Sequence, residues 1–260
     1  MKTIFLGCTK FSERILRNLL EENLTIEAIF TIPEKFDISY SEKKVRNYNY
    51  SNIGKIAEDH KIPCYLVDSG ENGKKMNDYH DIISEINPDV ILVMGWYYMV
   101  PKKIRNLAKY GAWGIHASLL PKYAGGAPLV WAMINGEEEA GVSLFKLDSG
   151  VDDGDIIMQR KFPIDRNDTI KEVYEKATIA SEEILAETFG DFENIKFTVQ
   201  DKSKIEVYPQ RSPEDGEIDL SWDAERIYNF IRAQAPPYPG AFIRTTDGNK
   251  IYIDKARLEK

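Results

Sequence analysis

Residues Val90–Met94 read Val-Ile-Leu-Val-Met, an unbroken apolar run closed by Pro88 on one side and Gly95 on the other. A strand with one wet face alternates apolar and polar residues. A short continuous run marks a strand buried on both faces, the habit of parallel sheets covered by helices. The segments before it supply what such a sheet needs. Ile4–Gly7, Ile26–Thr31 and Ile62–Val67 are further strand-like runs. Phe11, Ile15, Leu16, Leu19 and Leu20 recur at helical spacing between the first two. Strands separated by helices join by right-handed crossovers, so the expected fold is an open α/β sheet, mostly parallel.

After Gly136 the pattern changes. Val142–Leu147 and Ile156–Pro163 read as strands around an Asp/Gly-rich segment, and Thr169 to Phe189 as a long helix with Asp168 or Thr169 at its N-cap. Trp222–Ala233 reads as a helix. The rigid turn Pro236–Gly240 leads into Ala241–Arg244 and Lys250–Ile253, a β-hairpin around Asp247-Gly248. The expected division is a catalytic domain over 1–200 and a small α+β unit over 201–260. That unit carries Trp222, Tyr228, Phe230, Phe242 and Tyr252, much apolar weight for its size. It is expected to pack on its neighbour and on a second subunit, as a homodimer.

Composition excludes several classes. In 260 residues there is no apolar run long enough to span a membrane. The N-terminus lacks the h-region and cleavage site of a secretory signal and reads as a first strand. Cys8 and Cys64 are the only cysteines, which fits a reduced, cytoplasmic pair. The net charge is −8, and the sequence pI is about 5.1. A protein that grips nucleic acid by neutralising phosphates shows the opposite balance, so a polyanionic partner is disfavoured while a small phosphorylated ligand stays open.

Two stretches carry chemistry. Gly114-Ile115-His116 ends a strand, where open α/β sheets place ligands. The following loop, through Lys122, Gly125, Gly126 and Pro128, combines fixed backbone paths with glycines that allow close approach. His60 and His80 sit in polar helical contexts and read as surface residues. The second stretch is Asp148-Ser149-Gly150-Val151-Asp152-Asp153-Gly154-Asp155. Its composition suggests a calcium loop, but strands flank it and the twelfth position is Gln159 rather than Glu. It reads better as a tight loop that aims a carboxylate at a partner, and no metal site is expected. The long polar segment from Ile32 to Tyr50 follows a strand and reads either as a ligand contact or as a surface loop.

The run HASLLPKYAGGAPLVWAMINGE, followed by DSGVDDGDII, resembles the folate-dependent formyltransferase family, and GCTKFSERILRNLL resembles that family's first strand-turn-helix. RSPEDGEIDLSWDAERIYNFIRA and APPYPGAF resemble the branch that formylates nucleotide-linked amino sugars. The resemblance implies a Rossmann-like fold and N10-formyltetrahydrofolate as formyl donor. His116 and Asp152 fall on the family's catalytic positions. The family's asparagine falls on Gly114, a departure, because glycine has no side-chain donor for a developing oxyanion. The resemblance also implies a donor site along the backbone of Met94, Gly95, Trp96 and Tyr97 and at Asp148, Gly150 and Val151. Sugar-nucleotide contacts are implied at Phe36, Ser39 and Tyr40, and at Lys122, Gly125 and Gly126.

Among acceptors, the amino group of a dTDP- or UDP-linked sugar for surface glycan biosynthesis is the expected one. A methionyl-tRNA enzyme is expected to carry a longer, basic C-terminal domain, and a formyl-folate hydrolase a regulatory domain before Met1. A non-catalytic homologue that keeps the folate or nucleotide pocket is the alternative outside enzymes.

Overall fold

The computed structural model describes residues 1–38 and 43–259. Seven strands, numbered in chain order, make the main sheet: β1 (Thr3–Leu6), β2 (Ile26–Thr31), β3 (Cys64–Leu66), β4 (Val90–Val93), β5 (Ala112–His116), β6 (Glu139–Lys146) and β7 (Ile156–Pro163). Their hydrogen-bonded order is β7-β6-β5-β4-β1-β2-β3. The pairs β1–β2, β1–β4, β2–β3 and β4–β5 are parallel. The fold is therefore the open, mostly parallel, Rossmann-like α/β sheet that the apolar runs imply.

One compact unit holds Met1–Ile115, Leu144–Ser149 and Leu185–Lys196, and the other holds His116–Ser143, Gly150–Ile184 and Phe197–Lys260. Inside the second unit, residues after 197 hydrogen-bond to the segment that follows His116.

In the first unit, Val90, Ile91 and Leu92 are fully buried, as a strand covered on both faces must be. Burial of each such side chain stabilises by about 1.5–3 kcal/mol. The helix Lys10–Glu21 starts at Thr9, whose side chain accepts from the Ser12 N–H, while Ser12 Oγ accepts from the Thr9 N–H. Its buried stripe is Ile15, Leu16 and Leu19. The segment after β2 contains a short antiparallel pair, Lys35–Phe36 with Val45–Arg46, which its polar composition did not announce.

In the second unit, the helix Pro128–Ile134 packs against the helix Ala224–Ala233. Ile218, Phe230, Ile231 and Ala241 form a core there, with Ile134 and Trp222 against it. The helix Ile170–Gly190 follows Thr169, whose hydroxyl accepts from the Lys171 N–H at 3.3 Å. Ala241–Arg244 and Lys250–Ile253 pair as the expected antiparallel hairpin. Among the described residues, no helix is long and apolar enough to cross a membrane.

Candidate functional site

The second unit brings His116 and Asp152 together. Strand β5 delivers His116 at its carboxyl end, and the turn before β7 delivers Asp152, with Nδ1 and Oδ2 3.4 Å apart. The side chains are 11% and 22% exposed, so both are largely but not wholly buried. His116 Nε2 lies 2.7 Å from the Tyr123 carbonyl oxygen. A carbonyl only accepts, so Nε2 carries a hydrogen; an ionised carboxylate also only accepts. Nδ1 faces the Asp152 carboxylate and is the ring nitrogen left to take up a proton. The pair can therefore hold and pass one proton.

The loop after His116 is fixed by polar side chains from elsewhere in this unit. Ser143 Oγ donates to the Ser118 carbonyl at 2.6 Å and accepts from the Leu120 N–H at 3.0 Å. Gln159 Nε2 donates to the Leu120 carbonyl and to Ser143 Oγ. Tyr123 stacks on Tyr208 with ring centroids 4.8 Å apart, and Trp131 lies on the same Tyr208 ring at 5.5 Å. Burial pushes the Tyr123 phenol up to about 12, and the hydroxyl donates to Glu137 at 2.8 Å.

The two adjacent glycines have a reason within the chain itself. Ala124–Gly125 pairs in parallel with Val207–Tyr208, and the Gly126 N–H donates to the Tyr208 carbonyl at 2.8 Å. A Cβ on Gly125 would lie 2.5 Å from Tyr208 O, and one on Gly126 2.5 Å from Gln210 N. Only glycine admits that approach. The Gly125 N–H also donates to Asp152 Oδ2 at 2.8 Å. At both positions the chain's own residues 207–210 occupy the space a side chain would need. Lys122 is exposed, with its carbonyl accepting from Ser118 Oγ at 2.6 Å.

Three carboxylates of the aspartate-rich loop meet groups of the chain itself, Asp148 accepting from the Ser149 N–H. Asp152 faces His116 and Gly125. Asp153 accepts from the Gly150 N–H at 3.1 Å and from Lys202 Nζ at 2.7 Å. Gly150 and Val151 are exposed. Among the described residues, no group of three or more His, Cys, Asp or Glu is arranged to hold a metal ion.

In the first unit, the expected donor-side residues differ among themselves. Met94 is buried, and both of its backbone polar groups are used: its N–H donates to Leu6 O at 2.9 Å and its carbonyl accepts from Ser12 Oγ at 2.5 Å. The Gly95 carbonyl accepts from Cys8 Sγ at 3.2 Å. Trp96 packs edge-on to Tyr98, and its Nε1 is buried without a hydrogen-bond partner among the described residues. Tyr97 is partly exposed and donates to Asn47 Oδ1 at 3.1 Å. The Asp148 carbonyl accepts from Arg105 Nη1. Phe36 is fully buried against Tyr97 and Tyr98. Ser39 and Tyr40 lie outside the described residues. Gly114 sits in β5 opposite Val93.

Sequence comparison decides the family. The sequence model described as Formyl transferase matches residues 1–189, and that described as Formyl transferase, C-terminal domain, matches residues 211–260. The chain belongs to the formyltransferase family. A curated member, methionyl-tRNA formyltransferase of Clostridioides difficile (strain 630), is 32% identical over 263 residues, covering 100% of this chain and 82% of that protein. Among solved members, a sugar N-formyltransferase from Shewanella sp FDAARGOS_354 superposes with a TM-score of 0.73 at 19% identity, covering 100% of this chain and 99% of that one. WlaRD, a sugar 3N-formyl transferase solved in the presence of dTDP and 5-N-formyl-THF, superposes with a TM-score of 0.62 at 23% identity, covering 90% of this chain and 78% of that one. At these identities the structural likenesses speak for the formyltransferase fold.

Proposed function

We propose that this chain transfers the formyl group of N10-formyltetrahydrofolate to the amine of a nucleotide-linked amino sugar, in the cytoplasm, for surface glycan assembly. The observation that carries the reading is the His116–Asp152 pair, 3.4 Å apart and part-buried at the end of a strand of a formyltransferase sheet. The acceptor amine attacks the formyl carbon. A C–N bond forms, the bond from that carbon to N10 breaks, and the proton the amine loses ends on N10. The His116 ring stabilises the tetrahedral oxyanion and carries that proton, while Asp152 holds the ring. On the first unit, the partly exposed Tyr97 ring offers an apolar surface to a flat heterocycle, and Trp96 Nε1 is a donor still to be satisfied.

The sugar acceptor is supported by charge. A net charge of −8 opposes an RNA backbone but leaves a small diphosphate to local donors. A second reading, formylation of methionyl-tRNA, is favoured by the curated relatives at 31–32% identity. The deciding assay offers the protein N10-formyltetrahydrofolate with dTDP- and UDP-linked amino sugars in one arm and methionyl-tRNA in the other, and reads formylated product by mass. Product only in the tRNA arm overturns the sugar reading, and product in neither arm makes the chain a binding homologue. We also propose a homodimer, which a monomeric mass in light scattering at micromolar concentration would overturn.

A further inference from the structure

We infer that Gln200, which lies outside both recognised motifs, is the positioning residue that sets the Asp152 carboxylate. The inference rests on the reading of His116 and Asp152 as the reacting pair. Asp152 has φ of 49°, in the left-handed region that residues with a Cβ rarely adopt. Something must hold it there. Gln200 Nε2 donates to the Asp152 carbonyl at 2.8 Å and to the Gly154 carbonyl at 2.6 Å, one amide hydrogen for each. The residue is 5% exposed, and its Oε1 has no partner among the described residues. All of its described bonding therefore goes to this turn. Ile156 and Thr198 exchange two backbone hydrogen bonds of 2.8 Å, which bring Gln200 beside the turn. Lys202 also reaches the turn, at Asp153, but through an exposed ion pair of the kind that contributes little.

Two carbonyls fixed by one planar amide leave the Asp152 backbone little freedom. Its carboxylate then points to the Gly125 N–H at 2.8 Å and to His116. No other side chain replaces this simply. An alanine leaves two carbonyls without their donor. An ionised glutamate of the same length has no hydrogen and sets negative charge against both oxygens.

The test compares Gln200→Ala and Gln200→Glu in the native and Asp152→Ala backgrounds. It uses N10-formyltetrahydrofolate with the acceptor identified in the assay above, and NMR of the three histidine rings in the protein alone. Gln200→Ala should lower kcat by about 10²-fold, the cost of misplacing a catalytic group by an ångström, with KM little changed. In the Asp152→Ala background it should have almost no further effect. The His116 ring signals should move to where Asp152→Ala puts them. Gln200→Glu should be active at low pH, where a protonated carboxyl still donates one hydrogen, and lose activity as pH rises. Native His116 signals in folded Gln200→Ala, or an equal loss of kcat with and without Asp152, would overturn the inference. If Gln200→Ala does not fold, a Gln200→Glu pH profile identical to that of the unsubstituted protein overturns it. Full activity in Asp152→Ala alone would instead sink the parent reading.

Discussion

Gly125→Ala tests whether the strap across the histidine loop is a tight backbone contact. Gly125 has φ of 90°. An L side chain there costs about 1–2 kcal/mol on its own. The new Cβ would also meet Tyr208 O at 2.5 Å and Val207 Cγ1 at 3.0 Å, so the paired segment must retreat by about 1 Å to reach ordinary contact. That retreat stretches the 2.8 Å bond from the Gly126 N–H to Tyr208 O, worth about 1 kcal/mol, and disturbs the charged bond from Gly125 N to Asp152. The total is about 3–5 kcal/mol. The protein supplies its own control. Gly248, in the hairpin turn, has φ of 85° and nothing within 4 Å of a built Cβ, so Gly248→Ala should show the backbone cost alone, about 1–2 kcal/mol. Equilibrium urea unfolding of both variants measures the difference. Equal destabilisation by the two substitutions would refute the contact argument.

Other outcomes are expected. His116→Asn and Asp152→Ala should each cut turnover by roughly 10²–10⁴-fold with the fold intact by circular dichroism, and near-normal turnover in His116→Asn would remove it from the reaction. Gly114→Asn should fold, because its Cβ meets Leu147 Cδ2 at 3.1 Å, a side chain that need yield only slightly. Turnover at saturating folate should fall as the added side chain competes with the acceptor. A rise of up to ~10²–10³-fold would identify a missing donor instead, and no change in turnover or sugar affinity would withdraw Gly114 from the centre. A thiol reagent should label the exposed Cys64 in the native protein and spare the buried Cys8 until unfolding. Burial raises the Cys8 thiol from 9.0 to about 12, so its contribution is full below pH 9 and lost as pH climbs toward about 12. Cys8→Ala should flatten that alkaline decline in Tm.

The sheet was legible because buried parallel strands leave continuous apolar runs that nothing else in the chain imitates. The His116–Asp152 pair was legible because both residues sit in compact motifs whose spacing survives without a structure. Their supports were not. Ser143, Gln159, Gln200 and Tyr208 are single side chains scattered over the chain, with no periodicity to mark them, and Gln159 stood out only as a residue unsuited to calcium. Gly125 and Gly126 announced a close approach but not what approaches, and the visitor is Val207–Gln210. The burial of Phe36 and Met94 was not legible, since an apolar residue near a functional loop reads the same whether it meets a ligand or the core. The interleaving of chain segments in the two compact units was not legible, because composition does not record the hydrogen bonds that join distant segments.

Neither family model covers residues 190–210, yet Gln200 and the Val207–Tyr208 pairing both lie in that interval. What looks like a joint between two modules is, mechanically, part of the frame around the Asp152 turn and the loop after His116. Recombination between relatives at this joint would not be a neutral exchange of a C-terminal appendage. A chimera joined at 189 would graft a foreign brace onto the Asp152 turn, whereas one joined at 211 would keep brace and turn as a matched set.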